Sequence, residues 1–398
     1  MPALFLPCAG GVEALLAAEA SRIAGNKAQA GRGGVWVEGD ERTAMALNLE
    51  SRLAQRVLWP LIEGRYRDEH DLHDLARHVP WNDWIGPEQT LRVDTSAVRS
   101  PLRSLNFASL RIKDAVCDVV RERTGARPSV DTRDPDLPLA LFVGPEDATL
   151  YTDLSGEALF KRGWRDAKGE APLKETLAAA MLAAAGWQGR EGDGPLFDPC
   201  CGAGTIAVEA AQLACGIAAG ALRRFAFERL RPFASHQAAW REMKTAAKAR
   251  VHAPRVPVFA GDVSFRMTDF ATRNAQRAGV AAAIDFKTAD ALQRPPPGEH
   301  GTLMLNPPYG ERIGAKGQGS AAGGQAFEGG GTPAEFFAAL ATHWKHHYAG
   351  WRAWVLSPEM KLPSLMRLKE SRRVPMWNGP IECRLFRFDM VAGSNKET

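Results

Sequence analysis

The sequence predicts an α/β protein: a doubly wound, Rossmann-like sheet preceded by an α+β region of ferredoxin-like alternation. Three observations predict it. The apolar stretch Leu196-Phe197-Asp198 runs into a glycine turn, Pro199 to Thr205, and then a helical pattern from Ile206 to Ala214. Farther along, the apolar run Leu303-Met304-Leu305 stops at Asn306-Pro307-Pro308-Tyr309-Gly310. Ahead of both, residues 1–155 alternate short strands with helices.

In that leading region Leu4 to Leu6 reads as a strand, Gly11 to Ala24 as a helix and Gly34 to Val37 as a second strand. A helix over Glu41 to Leu53 and a strand over Arg56 to Ile62 complete a first module, residues 1–65. A second module, residues 66–155, holds a short helix at Asp71 to His78, a strand at Thr90 to Val93 and a longer helix at Asn106 to Arg123. It closes with strands near Leu139 to Val143 and Ala148 to Asp153. The remainder, residues 156–398, carries the doubly wound sheet.

Within the remainder, the strand–glycine turn–helix unit is how a nucleotide-like cofactor meets such a sheet. Gly202 and Gly204 let backbone approach a ligand where a Cβ would collide, and Asp198 at the strand end can hold an ammonium group. The spacing is not GxGxxG and no P-loop lysine follows, so dinucleotides and ATP fit poorly. Val256 to Phe259 reads as the second strand. Asp262 beyond it is either the acid that receives two ribose hydroxyls or a plain helix N-cap. Ile284 to Asp290 reads as the third strand, with Asp290 able to accept from an adenine amino group or to sit in a loop.

The Asn306-Pro307-Pro308-Tyr309 turn has its own chemistry. Neither proline donates an N–H and both fix φ, which leaves carbonyls free as acceptors. Those carbonyls and the Asn306 side-chain oxygen can receive a planar –NH2 group while Tyr309 stacks on its plane. An exocyclic base amine and a side-chain amide both fit.

Composition agrees with a globular enzyme of several domains: 45% hydrophobic and 24% charged residues over 398 positions. Six cysteines show no C-x-x-C spacing, and the adjacent pair Cys200-Cys201 is poor geometry for one zinc, so a reduced chain without a structural metal is expected. Met1 to Gly11 lacks the basic residue of a signal peptide, and the apolar run Leu177 to Trp187 is too short to span a bilayer. A cytoplasmic protein that does not engage a membrane is expected. The net charge of +4 is unevenly spread: residues 1–155 carry 18 Lys+Arg against 23 Asp+Glu, and residues 156–398 carry 32 against 23. Two local stretches, Arg99 to Arg133 and Ala221 to Arg255, are rich in basic residues, as a surface following a phosphate backbone would be. Solvated helix faces would read the same way.

With these motifs in view, the D-x-x-x-G-x-G-T turn followed by N-P-P-Y resembles the class I S-adenosylmethionine-dependent amino-methyltransferases. The runs Asn106 to Ala115 and Arg127 to Asp136 look like a THUMP domain. Leu154 to Arg165, Glu170 to Glu175 and Trp377 to Phe386 are similar to the bacterial THUMP-containing 23S rRNA guanine-N2-methyltransferases, and the resemblance runs from about residue 3 to 391. It implies a THUMP region that grips RNA through residues such as Arg103, Arg111, Lys113, Arg127 and Arg133, and a Rossmann-like methyltransferase domain. It implies that Asp198, Cys200, Gly202, Gly204 and Thr205 line the methionine and ribose part of S-adenosylmethionine. Asp262 would hold the ribose, Asp290 the adenine, and Asn306, Pro307, Pro308 and Tyr309 the target base. Pro172 and Lys174 would close one side of the pocket, unless Lys174 simply faces solvent.

Three departures stand out. Ala9-Gly10-Gly11 occupies a place where relatives commonly carry a basic residue, so one hold on RNA is expected to be missing. Val263-Ser264 follows Asp262 where a second acid is usual, and residues 313–332 contain eight glycines, the mark of a flexible loop. The expected reaction is methylation of the N2 amine of a guanine in 23S rRNA. A tRNA guanine-N2-methyltransferase and a non-catalytic RNA-binding assembly factor are the alternatives. Which guanine is modified and whether the chain self-associates are not legible in the sequence.

Overall fold

The computed structural model describes residues 1–165, 173–307 and 332–391. The chain forms two compact units: residues 1–8, 16–161 and 219–249 make the first, and 9–15, 162–218 and the chain from Arg250 onward make the second.

The first unit is built on strands β1 (Ala3–Pro7), β2 (Gln29–Gly31), β3 (Gly34–Glu38), β4 (Leu58–Arg65), β5 (Thr90–Ala97), β6 (Ser129–Val130), β7 (Leu137–Val143) and β8 (Asp147–Asp153). They form one sheet in the order β2-β3-β1-β4-β8-β7-β5-β6. Its helices are α1 (Glu13–Ala24, whose first residues count with the second unit), α2 (Glu41–Glu50), α3 (Glu69–Arg77) and α4 (Leu105–Thr124). Local chemistry sets their ends. Asp40 caps α2 by accepting from the Thr43 N–H at 2.9 Å, and Ser104 caps α4 by accepting from Phe107. Gly125 ends α4 in the left-handed conformation, φ 80°, which a side chain would resist. The boundary expected after residue 65 falls at the end of β4. There the antiparallel pairing of β4 with β8 carries the sheet from the first expected module into the second, with a bulge between Pro60 and Ile62.

The second unit, among the described residues, carries α5 (Glu175–Ala185), β9 (Leu196–Asp198), α6 (Thr205–Ala214), β10 (Val258–Asp262), α8 (Phe265–Arg277), β11 (Ile284–Thr288) and β12 (Gly301–Leu305). The intervening helix α7 (Gln237–Ala249) belongs to the first unit. Then follow α9 (Pro333–His347), β13 (Trp351–Ser357), α10 (Leu362–Met366), β14 (Arg372–Asn378) and β15 (Ile381–Asp389). The sheet order is β11-β10-β9-β12-β13-β15-β14, parallel through β13 and antiparallel from β15 onward. Every residue of β12 is buried, as expected for a central parallel strand covered on both faces. Phe197, Leu303, Leu305, Phe337, Leu340, Trp344 and Trp351 pack together between sheet and helix. Thr332 and Glu335 form a reciprocal capping box that starts α9, with Pro333 at its first position.

Two features are not evident in the sequence. The segment Ala219–Ala249 falls largely in the stretch Ala221 to Arg255 that reads only as basic, yet Trp240, Phe225, Phe227 and Phe233 form an aromatic cluster inside it. Phe233 meets Trp59 of β4 edge-on at 6.1 Å, and Arg229 pairs with Asp134 at 2.7 Å, which ties the segment into the first unit. The glycines at 10 and 11 have a packing reason. A Cβ on Gly11, at φ +81°, would lie 2.2 Å from the Pro375 carbonyl, and one on Gly10 would press on the Trp377 ring. Among the described residues no helix is long and apolar enough to cross a membrane.

Candidate active site

The strand order of the second unit reverses between β9 and β12, because the chain runs outward from β9 through β10 to β11 and restarts on the other side at β12. In open α/β sheets ligands bind beyond the carboxyl ends of the strands at such a reversal. Register places the sequence-predicted groups along that edge. Ala260 lies opposite Asp198, so Asp262 stands two residues farther out; Thr288 lies opposite Asp262, so Asp290 stands two beyond it. On the other side Leu303 lies opposite Phe197, so Asn306 stands two residues past the level of Asp198.

The glycine turn joins these strand ends. Asp262 Oδ2 accepts from the Gly202 N–H at 2.9 Å and Oδ1 from the Ser264 N–H at 3.0 Å. Of its two sequence readings, the helix cap is not what forms: α8 begins at Phe265 with Ser264 at the cap position, and the carboxylate instead clamps the glycine turn. Gly202 has φ +51° and, among the described residues, nothing within 4 Å of where a Cβ would project, which leaves space in front of the turn. Gly204, at φ +83°, serves packing: a Cβ there would meet Ala271 of α8 at 2.9 Å. Asn274 holds the turn from behind, its Nδ2 donating to the Ala203 carbonyl at 3.0 Å.

Carboxyl and thiol groups gather at this edge, and burial favours their neutral forms. Asp198 is 1% exposed, accepts from the Cys200 N–H at 3.3 Å and has no basic partner among the described residues. Burial pushes its carboxyl well above the ordinary range, and Asp262 adds to the shift. Burial also pushes the Cys200 thiol well up, reinforced by Asp198, Asp262 and Asp290. Burial likewise raises Cys201, and both thiols stay protonated and un-nucleophilic at neutral pH. Asp290 Oδ1 accepts from the Leu292 N–H at 2.9 Å.

Asn306 is half-buried and Pro307 buried at the end of β12. Pro308, Tyr309 and Pro172 lie outside the described residues, as does all of the 313–332 stretch but Thr332. Lys174 is half-buried at the N-cap of α5. Thr205, the first residue of α6, accepts at Oγ1 from Arg165 Nη2 at 2.7 Å.

Sequence reasoning does not single out three arginines that the structure does. Arg165 donates to Glu175 at 2.7 Å as well as to Thr205. Arg162, 1% exposed, pairs with the fully buried Glu209 at 3.0 Å. Arg294 stacks over Phe197, 4.6 Å from the ring, and donates to the Ala260 carbonyl at 3.0 Å. Only their high burial separates them from surface arginines, and a sequence shows no sign of it.

In the first unit, Arg103, Arg127 and Arg133 are exposed, whereas Arg111 and Lys113 are half-buried beside Asp114. Leu105, Phe107 and Leu110 on the same helix α4 are large apolar side chains left exposed.

The parallel sheet, its reversal and the glycine turn define a class I methyltransferase fold. Comparison with known proteins makes this specific. Residues 162–387 match the RMKL-like methyltransferase domain, residues 66–153 the THUMP domain and residues 3–58 the RlmL ferredoxin-like domain. The chain belongs to the RMKL-like methyltransferase family, whose methyl donor is S-adenosylmethionine. It is 36% identical to a ribosomal RNA large subunit methyltransferase K/L of Psychromonas ingrahamii over 97% of its length, and 33% identical to the protein of that name from Shewanella amazonensis, again over 97%. It covers 50% and 53% of those two proteins, so the chain spans about half the length of the curated relatives it matches. A crystal structure described as a predicted N6-adenine-specific DNA methylase from Listeria monocytogenes is 26% identical, with a TM-score of 0.83 over 97% of this chain and 96% of that one. The protein SMU.472 in complex with SAH shares the fold at a TM-score of 0.84, 24% identity and 99% coverage of both chains.

Proposed function

We propose that the chain transfers a methyl group from S-adenosylmethionine to the exocyclic N2 amine of a guanine in 23S rRNA. The observation that carries this is the Asn306-Pro307 turn at the carboxyl end of β12, across the sheet reversal from the glycine turn. The large-subunit rRNA methyltransferases among its relatives support the substrate class.

The residues fit the methyl donor. The open space before Gly202 leaves room for a ligand against the backbone, and Asp198 is a buried carboxyl suited to an ammonium group. Asp262 is fixed by two backbone N–H groups, and a carboxylate so held can also accept from ribose hydroxyls. Asp290, at the end of the third strand, would accept from the adenine amine. Cys200, Gly204 and Thr205 would complete that wall, with Lys174 and, beyond the described residues, Pro172 as the candidates to close it.

When bound, S-adenosylmethionine supplies a methyl group already made electrophilic by a sulfonium. Guanine N2 is a weak nucleophile because its lone pair is delocalised into the ring. Asn306 Oδ1 and the Pro307 carbonyl would each accept one N2 proton, favour a pyramidal nitrogen and aim its lone pair at the methyl. That is positioning and electrostatic preorganisation, not strong base catalysis. The target base leaves its stack to reach the turn, where Tyr309 would receive its face. Arg103, Arg111, Lys113, Arg127 and Arg133 would hold flanking RNA through phosphates and 2′-hydroxyls.

The test is transfer of labelled methyl into 23S rRNA, 16S rRNA and bulk tRNA, followed by nucleoside analysis. N2-methylguanosine in 23S rRNA is expected. Label in tRNA alone would overturn the substrate while keeping the chemistry, and N6-methyladenosine would overturn the base.

A further inference from the structure

Resting on the cofactor assignment above, we infer that Arg165 binds the α-carboxylate at the methionine end of the methyl donor, opposite in charge to the role of Asp198. The two side chains together then read both charges of that zwitterion.

The hydrogen bonds of Arg165 are nearly all accounted for. Nε donates to Glu175 Oε1 at 2.7 Å, and Nη2 donates to Thr205 Oγ1 at 2.7 Å and to the Leu173 carbonyl at 3.2 Å. Nη1 is buried and has no hydrogen-bond partner among the described residues. The side chain is only 10% exposed. A buried, charged N–H without an acceptor carries a desolvation penalty that the surrounding side chains leave unrelieved. An arriving anion would relieve it.

The place is suited to an anion. Thr205 opens α6, a ten-residue helix whose cap, Gly204, offers no side-chain acceptor to the first turn. The partial positive charge of that turn therefore adds to the guanidinium. Glu175 already neutralises the opposite edge of Arg165. Burial pushes its carboxyl pKa up, and the adjacent guanidinium opposes that shift. Asp198 supplies the matching half: a buried carboxyl with no cation among the described residues, at the strand end from which the same glycine turn departs. An isolated carboxylate ligand would suit Arg165 and repel Asp198. An isolated amine would do the reverse. An α-amino acid end satisfies both at once.

A merely structural clip between Glu175, Leu173 and Thr205 would affect every adenosine ligand alike, which makes the assignment testable without RNA or turnover. Calorimetric titrations would compare S-adenosylhomocysteine with its decarboxylated analogue, which keeps the amine, on the full chain. R165K keeps a cation for Glu175 but has no rigid fork to span the Thr205 and carboxylate positions together. It should weaken S-adenosylhomocysteine about tenfold or more while leaving the decarboxylated analogue unchanged. The double variant R165Q/E175Q, which leaves no uncompensated buried charge, should show the same selectivity if R165K folds poorly. Equal losses for both ligands, or no loss for either, would overturn the role of Arg165. If the unaltered chain bound neither ligand, the cofactor assignment itself would fall, and this inference with it.

Discussion

Arginines in the two units are held in opposite ways. Arg103, Arg127 and Arg133 of the first unit project into solvent, while Arg162 and Arg165 of the second are at least nine-tenths buried among hydrogen-bond partners. The same residue type therefore does two jobs. An exposed guanidinium supplies long-range, salt-sensitive attraction and little stability. A buried one fixes backbone and carboxylate positions, and removing it strands its partner.

Substituting the buried members should do the most damage. Arg162→Ala takes the guanidinium away from the buried carboxylate side chain it pairs with, Glu209, and should lower unfolding free energy by about 3–5 kcal/mol in urea titrations. A decrease below about 1 kcal/mol would place Arg162 with the surface arginines. Asn306→Ala removes one of the two acceptors proposed for the target amine. It should cut turnover about 100- to 1,000-fold while the affinity for S-adenosylhomocysteine holds. Unchanged turnover would remove Asn306 from the site.

A smaller effect of opposite sign is expected at Asp198. Because burial raises its native carboxyl above the ordinary value of 3.8, folding favours the neutral form. The stability this group contributes is complete below the unfolded value and is lost as pH rises through the raised native one. Asp198→Asn should therefore raise the melting temperature of the ligand-free chain at neutral pH, with a gain that vanishes in acid, and should weaken cofactor binding. A melting temperature unchanged at both pH values would show that Asp198 is solvated. Least for stability, and most for RNA, is the triple change of Arg103, Arg127 and Arg133 to Ala. It should shift stability by less than about 0.5 kcal/mol and lower the salt slope of RNA binding by about one for each phosphate no longer neutralised. An unaltered slope would move the RNA surface elsewhere.

What is legible in the sequence is what glycine and proline punctuate. β9 with its turn and β12 with Asn306-Pro307 announce themselves because special backbone demands special residues, whereas the acids at 262 and 290 read from sequence also as a helix cap and a loop residue. The helix α7 is hidden under its own charges: Trp240 and Ala247 are buried beneath Arg241, Lys244 and Lys248, so the segment reads as a basic stretch. The strands β2 and β13 carry no readable period, the first because it has three residues and the second because it is buried along nearly all its length, without alternation. The Ala9-Gly10-Gly11 turn, read from sequence, suggests only a missing hold on RNA. Its close approach to Pro375 is a property of strands far away in the chain. The roles of Arg165 and Glu175 depend on burial, which only the folded chain determines.

The interleaving of the two units along the chain has a consequence for biosynthesis. The first unit includes Ala219–Ala249, so it cannot close its aromatic cluster until about residue 249 has left the ribosome. The second includes Ala9–Leu15, so those residues must wait for β14, which is synthesised far later. Neither unit can be completed from one continuous stretch, and pairings of such long sequence separation slow folding. A shortened chain beginning near residue 156 would lack the cover over Trp377 and carry an orphaned aromatic segment. Its failure to methylate RNA would report on folding as much as on recognition.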